Sequence, residues 1–223
     1  MTTFADIRTE VAVALRDPDK QTFTDEQLKG MVNRAQAEIG RVAPRRFQED
    51  ITPVADDLTY PLQVGILGAV PVPEIEVLRV ELWHLGEPYA QIPPADSAYA
   101  AWSDTGWKVW DGTLEIPHYV MTAIAGSESD YSFRVWGYAP YAPLSGDSDL
   151  LALSNEREQA IVTGCRVEGI RMLLAERDLF TQWQAGANNT DVTPASLMNA
   201  LSIAQDDWRR TKREMMVLRE GAG

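Results

Sequence analysis

The chain has 223 residues, 45% of them hydrophobic and 24% charged, with a formal net charge of −13. That length suits one large domain or a domain carrying an insertion, with enough buried surface to dispense with metals or disulfides. One cysteine, Cys165, and two histidines exclude a disulfide framework and a zinc cluster, and no run approaches the roughly 20 apolar residues of a membrane span.

The first elements read as helices. Phe4, Ile7, Val11 and Leu15 form one apolar stripe, ended by Asp17-Pro18-Asp19. Thr24-Asp25-Glu26-Gln27 is a capping box, with Phe23 and Leu28 at the positions of a hydrophobic staple. Leu28, Met31, Val32, Ala35, Ile39 and Val42 give the second helix its apolar face, and Pro44 stops it. The opening residues Met1–Asp6 show neither a basic nor an apolar leader region, so the expectation is synthesis and folding in the cytosol.

The middle reads as β. Residues 76–82 alternate, placing Leu78, Val80 and Leu82 on one expected face and Arg79 and Glu81 on the other. Residues 107–110, Asp111-Gly112 and residues 113–116 predict a hairpin closed by a type I′ turn, and residues 131–136 alternate again. Weaker strands are expected near 47–52, 59–62 and 89–92, with a short helix over 96–102. Prolines at 53, 61, 71, 73, 88, 93, 94 and 117 suit strand ends and argue against helix.

The end returns to helix. Asn155-Glu156-Arg157-Glu158 offers another capping box, followed by Ile161, Cys165, Met172 and Leu173 on the expected buried side. Gly164 and Gly169 weaken this helix and suit close approach of a neighbour. After the loop at 185–189, Thr193-Pro194 opens a last helix of roughly 25 residues, with Leu197, Leu201, Ala204, Trp208, Met215 and Leu218 along one face. The expected fold is α+β: N- and C-terminal helices (1–46 and 151–223) form one bundle, and residues 47–150 are an inserted antiparallel β domain.

Charge is segregated. Residues 48–150 hold 16 Asp/Glu and three Lys/Arg, a difference of −13, whereas the flanks hold 17 of each. Tight phosphate binding needs clustered cations, so sequence-specific DNA binding is not expected. No phosphate-binding glycine loop, metalloprotease motif or nucleophile elbow is present. His84 and His118 read as surface or packing residues. The pairs Glu49-Asp50, Asp56-Asp57 and Asp206-Asp207 read as solvated carboxylates. Cys165 reads as a small buried hydrophobe. The expectation is a non-enzyme without cofactor or metal. Trp102, Trp107, Trp110, Tyr119, Trp136, Tyr138 and Tyr141 suit a β core or subunit interface, the alternative being a ligand-stacking platform.

In order and spacing, several segments resemble the head-to-tail adaptor (connector) proteins of tailed bacteriophages, in the larger type with a β insertion. They are Phe23-Thr24-Asp25-Glu26-Gln27-Leu28 with residues 33–39, Leu58-Thr59-Tyr60-Pro61-Leu62, Phe133-Arg134-Val135-Trp136-Gly137-Tyr138, and residues 153–161. The long acidic β region departs from minimal connectors. The resemblance implies a virion protein of the head–tail neck: a ring, typically of twelve copies, bound to the portal and to a downstream neck or tail protein. DNA would pass through its channel without specific binding, and no membrane is involved. It also implies portal docking through the C-terminal segment, here Trp208, Arg209, Lys212, Arg213, Met215, Met216 and Arg219. The alternative reading is a carbohydrate- or surface-binding tail accessory module built on the aromatic β domain.

Overall fold

The structure, a computed structural model, describes residues 2–62, 75–95, 105–151, 155–186 and 191–220, the side chains of 155–157 and 217–220 excepted. The fold is α+β, with six α-helices and antiparallel sheets among these residues. The chain divides into two compact units, residues 1–43 with 143–223, and residues 44–142.

In the helical unit, α1 spans Phe4–Ala14 and α2 spans Asp25–Val42. The stripe Phe4, Ile7, Val11 and Leu15 is buried, as are Phe23 and Leu28. The Thr24 hydroxyl accepts from Gln27 N while the Gln27 side chain accepts from Thr24 N, the reciprocal cap expected from the sequence. A second box, Thr3 with Asp6, opens α1. Asp17 does more than end α1. Its carboxylate is buried and accepts from the backbone N–H groups of Gln21, Thr22 and Phe23 at 2.8–3.0 Å, folding the α1–α2 connection around itself.

Three helices follow the β unit where two were expected: α4 (Asn155–Ala175), α5 (Arg177–Gly186) and α6 (Pro194–Glu220). The interruption at Glu176 separates α4 from α5, whose last residues, Ala185 and Gly186, were expected as loop. Trp183 on α5 is buried and donates its indole N–H to the Leu15 carbonyl at 2.8 Å, satisfying the end of α1. Helix α4 is central, packing against α1, α2, α5 and α6. Both its glycines sit at close approaches: a Cβ on Gly164 would meet Ala35 and Trp208, and one on Gly169 would overlap Leu15. Cys165 is fully buried, and desolvation pushes its thiol far above the usual range. The side chains of the expected cap at 155–157 lie outside the described residues, as does the Ala187–Asn189 part of the loop.

The segment at 143–151 is pinned to α1 and α2. Asn33 exchanges two hydrogen bonds with the Leu144 backbone, at 2.8 and 2.9 Å, and Leu151 N donates to Thr2 O. Buried Arg8 pairs with Asp147 and Asp25.

The β unit holds a four-stranded sheet, in the order β1 (Arg45–Ile51), β7 (Tyr131–Ala139), β3 (Glu76–His84), β4 (Glu87–Ile92). A three-stranded sheet has the order β2 (Thr59–Pro61), β6 (Thr113–Glu115), β5 (Lys108–Trp110). All pairings in both sheets are antiparallel. Asp111 and Gly112 have φ of 49° and 70°, the type I′ geometry expected of the β5–β6 hairpin, and Leu85-Gly86 repeats it between β3 and β4.

Three expectations in this region need correction. Leu78 does not share the face of Val80 and Leu82: a register shift between Val77 and Arg79 leaves it 53% exposed. Pro117 does not exclude helix; it stands at the N-cap of α3 (His118–Ile124), which buries Val120, Met121 and Ile124. The aromatic residues do not form the core together. The core comprises Tyr60, Leu62, Val80, Leu82, Ile92, Leu114, Ile116, Phe133, Val135 and the α3 residues, with Tyr60 edge-on to Phe133. Trp107 packs against this cluster from a partly buried position, while Trp110 and Tyr119 are exposed. Trp102 and the expected helix at 96–102 lie outside the described residues.

Asp149 accepts from the backbone N–H groups of Ser145 and Gly146, which hold its carboxyl below the ordinary range. Its contribution to stability is present above the ordinary carboxylate range and is lost as pH falls through the depressed folded value. Asp149→Asn is therefore expected to be less stable than the parent at pH 7. In urea titrations at successive pH values, that difference should shrink toward zero on acidification.

Candidate functional site

The sequence-expected docking residues lie on α6, which the Thr193 cap starts by accepting from Ser196 N. The structure separates them into two groups. Trp208 and Met215 are 7% and 6% exposed and belong to the interior of the helical unit. Trp208 lies against Gly164 and donates its indole N–H to Glu38 on α2 at 3.1 Å. Lys212 donates to the same carboxylate at 3.2 Å and sits 5.1 Å over the Trp208 ring. Glu38, Trp208 and Lys212 thus tie α6 to α2. Arg209, Arg213 and Met216 are exposed, and Arg209 pairs with Asp206 one turn earlier. Arg219 lies on α6, with its side chain outside the described residues.

Beside this tie, α2, α4 and α6 enclose an open groove of about 590 Å³. Ala35, Gly164 and Trp208 line it, and Arg34, Arg171, Arg209 and Lys212 stand beside Glu38, Glu168 and Glu176. Arg34 is paired with Glu168, which raises the guanidinium's pKa. The balance of charges suits a polar protein surface better than a phosphate. Sequence reasoning found α6 but not the groove, because Glu38 and Glu168 meet α6 only after three helices pack. The glycine at 164 was the available signal.

In the β unit the second face of the four-stranded sheet carries a polar–aromatic ladder. Arg134 lies 3.6 Å over Trp83 and makes a two-pronged bond to Asp50 at 2.6 and 2.8 Å. Arg79 lies 4.1 Å over Trp136 and pairs with Glu81. Arg46 stands over Tyr138. Lys108 pairs with Glu115 across the β5–β6 hairpin. Every Lys/Arg of residues 48–150 therefore has a carboxylate partner. Redrawn on the structural units, residues 44–142 carry 14 Asp/Glu and five Lys/Arg, a difference of −9; the helical unit has 19 and 15, a difference of −4.

Among the described residues no cluster of three His, Cys, Asp or Glu is placed to hold a metal ion. His118 begins α3, close to the Thr122 hydroxyl, and the His84 ring lies tilted at 4.6 Å from that of Tyr131. Asp50 is engaged by Arg134, and Asp206 and Asp207 by Arg209 and Arg210. Among the described residues no helix is long and apolar enough to cross a membrane. Comparison with protein-family models gives no match, and neither does comparison with curated proteins.

Trp208→Ala removes a buried indole and leaves Glu38 with only Lys212. The expected loss is about 3–5 kcal/mol of unfolding free energy in chemical denaturation. Arg213→Ala, on the exposed side, is expected to change it by less than about 0.5 kcal/mol.

Proposed function

We propose that the protein is a structural, non-catalytic subunit of a phage virion. In this reading it is a head-to-tail adaptor that assembles as a ring below the portal, surrounds the DNA exit channel, and joins a downstream neck or tail protein. The observation that carries the reading is the charge surplus of the β unit, 14 Asp/Glu against five Lys/Arg, with Arg79, Lys108 and Arg134 each paired to a carboxylate. A wall built from this unit repels phosphate. DNA can then pass without being held. The order of segments that resembles the connector family agrees with this, as does the division into chain-end helices and a β insertion.

Portal docking falls to the exposed side of α6. Arg209, Arg213 and Met216 supply cations and an apolar contact, the mixture found at interface anchors. Trp208 and Met215 act indirectly, by fixing the helix that presents them. The exposed face of α6 and the neighbouring groove offer the portal a preformed surface. In the glycan-binding alternative the stacking platform would fall to the exposed Trp110 and Tyr119, since Trp136 is overlain by Arg79.

The test is negative-stain imaging of the protein mixed with purified portal rings. A stacked annulus is expected. Charge reversal by Arg209→Glu with Arg213→Glu should leave the thermal unfolding midpoint within a few degrees while reducing portal association at least about tenfold. Unchanged association of the double variant would remove α6 from the docking surface, and absence of any annulus would sink the adaptor reading.

A further inference from the structure

Two features of the molecule complement each other and are used by nothing described so far. The first is a knob. Trp110 ends β5 at the Asp111-Gly112 turn and is 83% exposed, the highest exposure among the large hydrophobic residues described. Its position is rigid: Trp110 pairs with Thr113 across a two-residue turn, and the Gly112 carbonyl accepts from Leu62 N at 2.9 Å. An indole held in water on a stiff hairpin costs hydrophobic free energy that only a partner returns. Asp111, beside it at the tip, is also exposed.

The second is a hole in the helical unit. A dimple of about 200 Å³ opens between the end of α1, α4, α5 and the start of α6. Its floor is Leu15, Ile170, Leu173, Trp183 and Leu197, and each of these is less than 10% exposed. Arg16, Arg166 and Ser196 stand at the rim, and both arginines are exposed. Arg166 pairs with no carboxylate among the described residues. The volume decides what fits. Small-molecule sites run to about 300–1,000 Å³, whereas an apolar cavity of about 150 Å³ takes up benzene. The dimple is therefore sized for one aromatic side chain. Its apolar floor suits an indole, and its arginine rim suits an adjacent carboxylate.

The geometry points to a copy-to-copy contact in which Trp110 of one chain fills the dimple of the next, with Asp111 against Arg166. Knob and hole lie on different units, so every copy both donates and accepts. Such a heterologous contact repeats from chain to chain and closes as a ring when the rotation permits. The inference rests on the ring reading for its biological setting, but the contact itself is tested separately.

Two variants, Asp111→Cys and Arg166→Cys, are made on separate chains, purified, mixed and oxidised. The native Cys165 thiol is buried and does not compete. The expected product is a mixed disulfide dimer, reduced at least about tenfold when the Asp111→Cys chain also carries Trp110→Ala. Mixed product no more abundant than the two like-with-like dimers, or insensitive to Trp110→Ala, would overturn the contact. One chain carrying both cysteines should give a ladder longer than a dimer. A monomer cross-linked within itself would overturn the contact. A product that stops at the dimer would keep the contact and remove the ring. Portal-bound annuli without the mixed disulfide would do the reverse.

Discussion

The helical unit depends on the absence of a side chain at one point. Gly164 lets Ala35 of α2 and Trp208 of α6 lie against the same turn of α4. A glycine inside a helix costs about 1 kcal/mol relative to alanine, and the close approach it permits more than offsets this through burial of a tryptophan. From that approach follow the Trp208–Glu38 bond, the position of Lys212, the shape of the groove and the face that α6 presents. Gly169 does the same for Leu15 and the end of α1, a little over one turn further along. Helix α4 is therefore less an amphipathic surface helix than a shared spine, touched on several sides.

Much of the fold was legible because its signals are local. The Thr24 cap, the Asp111-Gly112 turn and the Phe4–Leu15 stripe each depend on residues a few positions apart, and each keeps its expected geometry. The failures have specific causes. At Leu78 a bulge re-aims one residue, and periodicity has no means of counting an extra residue in a strand. At Pro117 the same residue that ends a strand starts a helix, so composition alone could not separate the two roles. At Trp208 and Met215 a basic, apolar mixture reads equally well as an exposed anchor or as a buried face with charged neighbours. Only packing against α2 and α4 distinguishes them, and that involves residues 170 positions apart.

Electrostatics in the two units follow different rules. In the helical unit, charges do structural work at seams: Asp17 gathers three backbone donors, Arg8 is held by Asp25 and Asp147, and Glu38 joins α2 to α6. In the β unit, Arg79 and Arg134 lie over tryptophans and pair with Glu81 and Asp50, which leaves the surplus of carboxylates to set the field outside the protein. Cation–π contact and a two-pronged carboxylate bond together give Arg134 a fixed place at modest desolvation cost. The function proposed for the protein uses that difference: charge in the helical unit serves its seams, and the surplus in the β unit discourages a polyanion.

The two ends of the β unit are neighbours. Arg45, near its first residue, and Ala139, near its last, face each other across the β1–β7 ladder. The excursion from α2 to the segment before α4 thus leaves and re-enters through a gap of a single strand spacing, about 5 Å. A module anchored in this way is portable. Residues can be added to or removed from the turns between the two strands without changing the spacing of the ends they share. Selection can then act on what the module does at its far end at little cost to the scaffold that carries it.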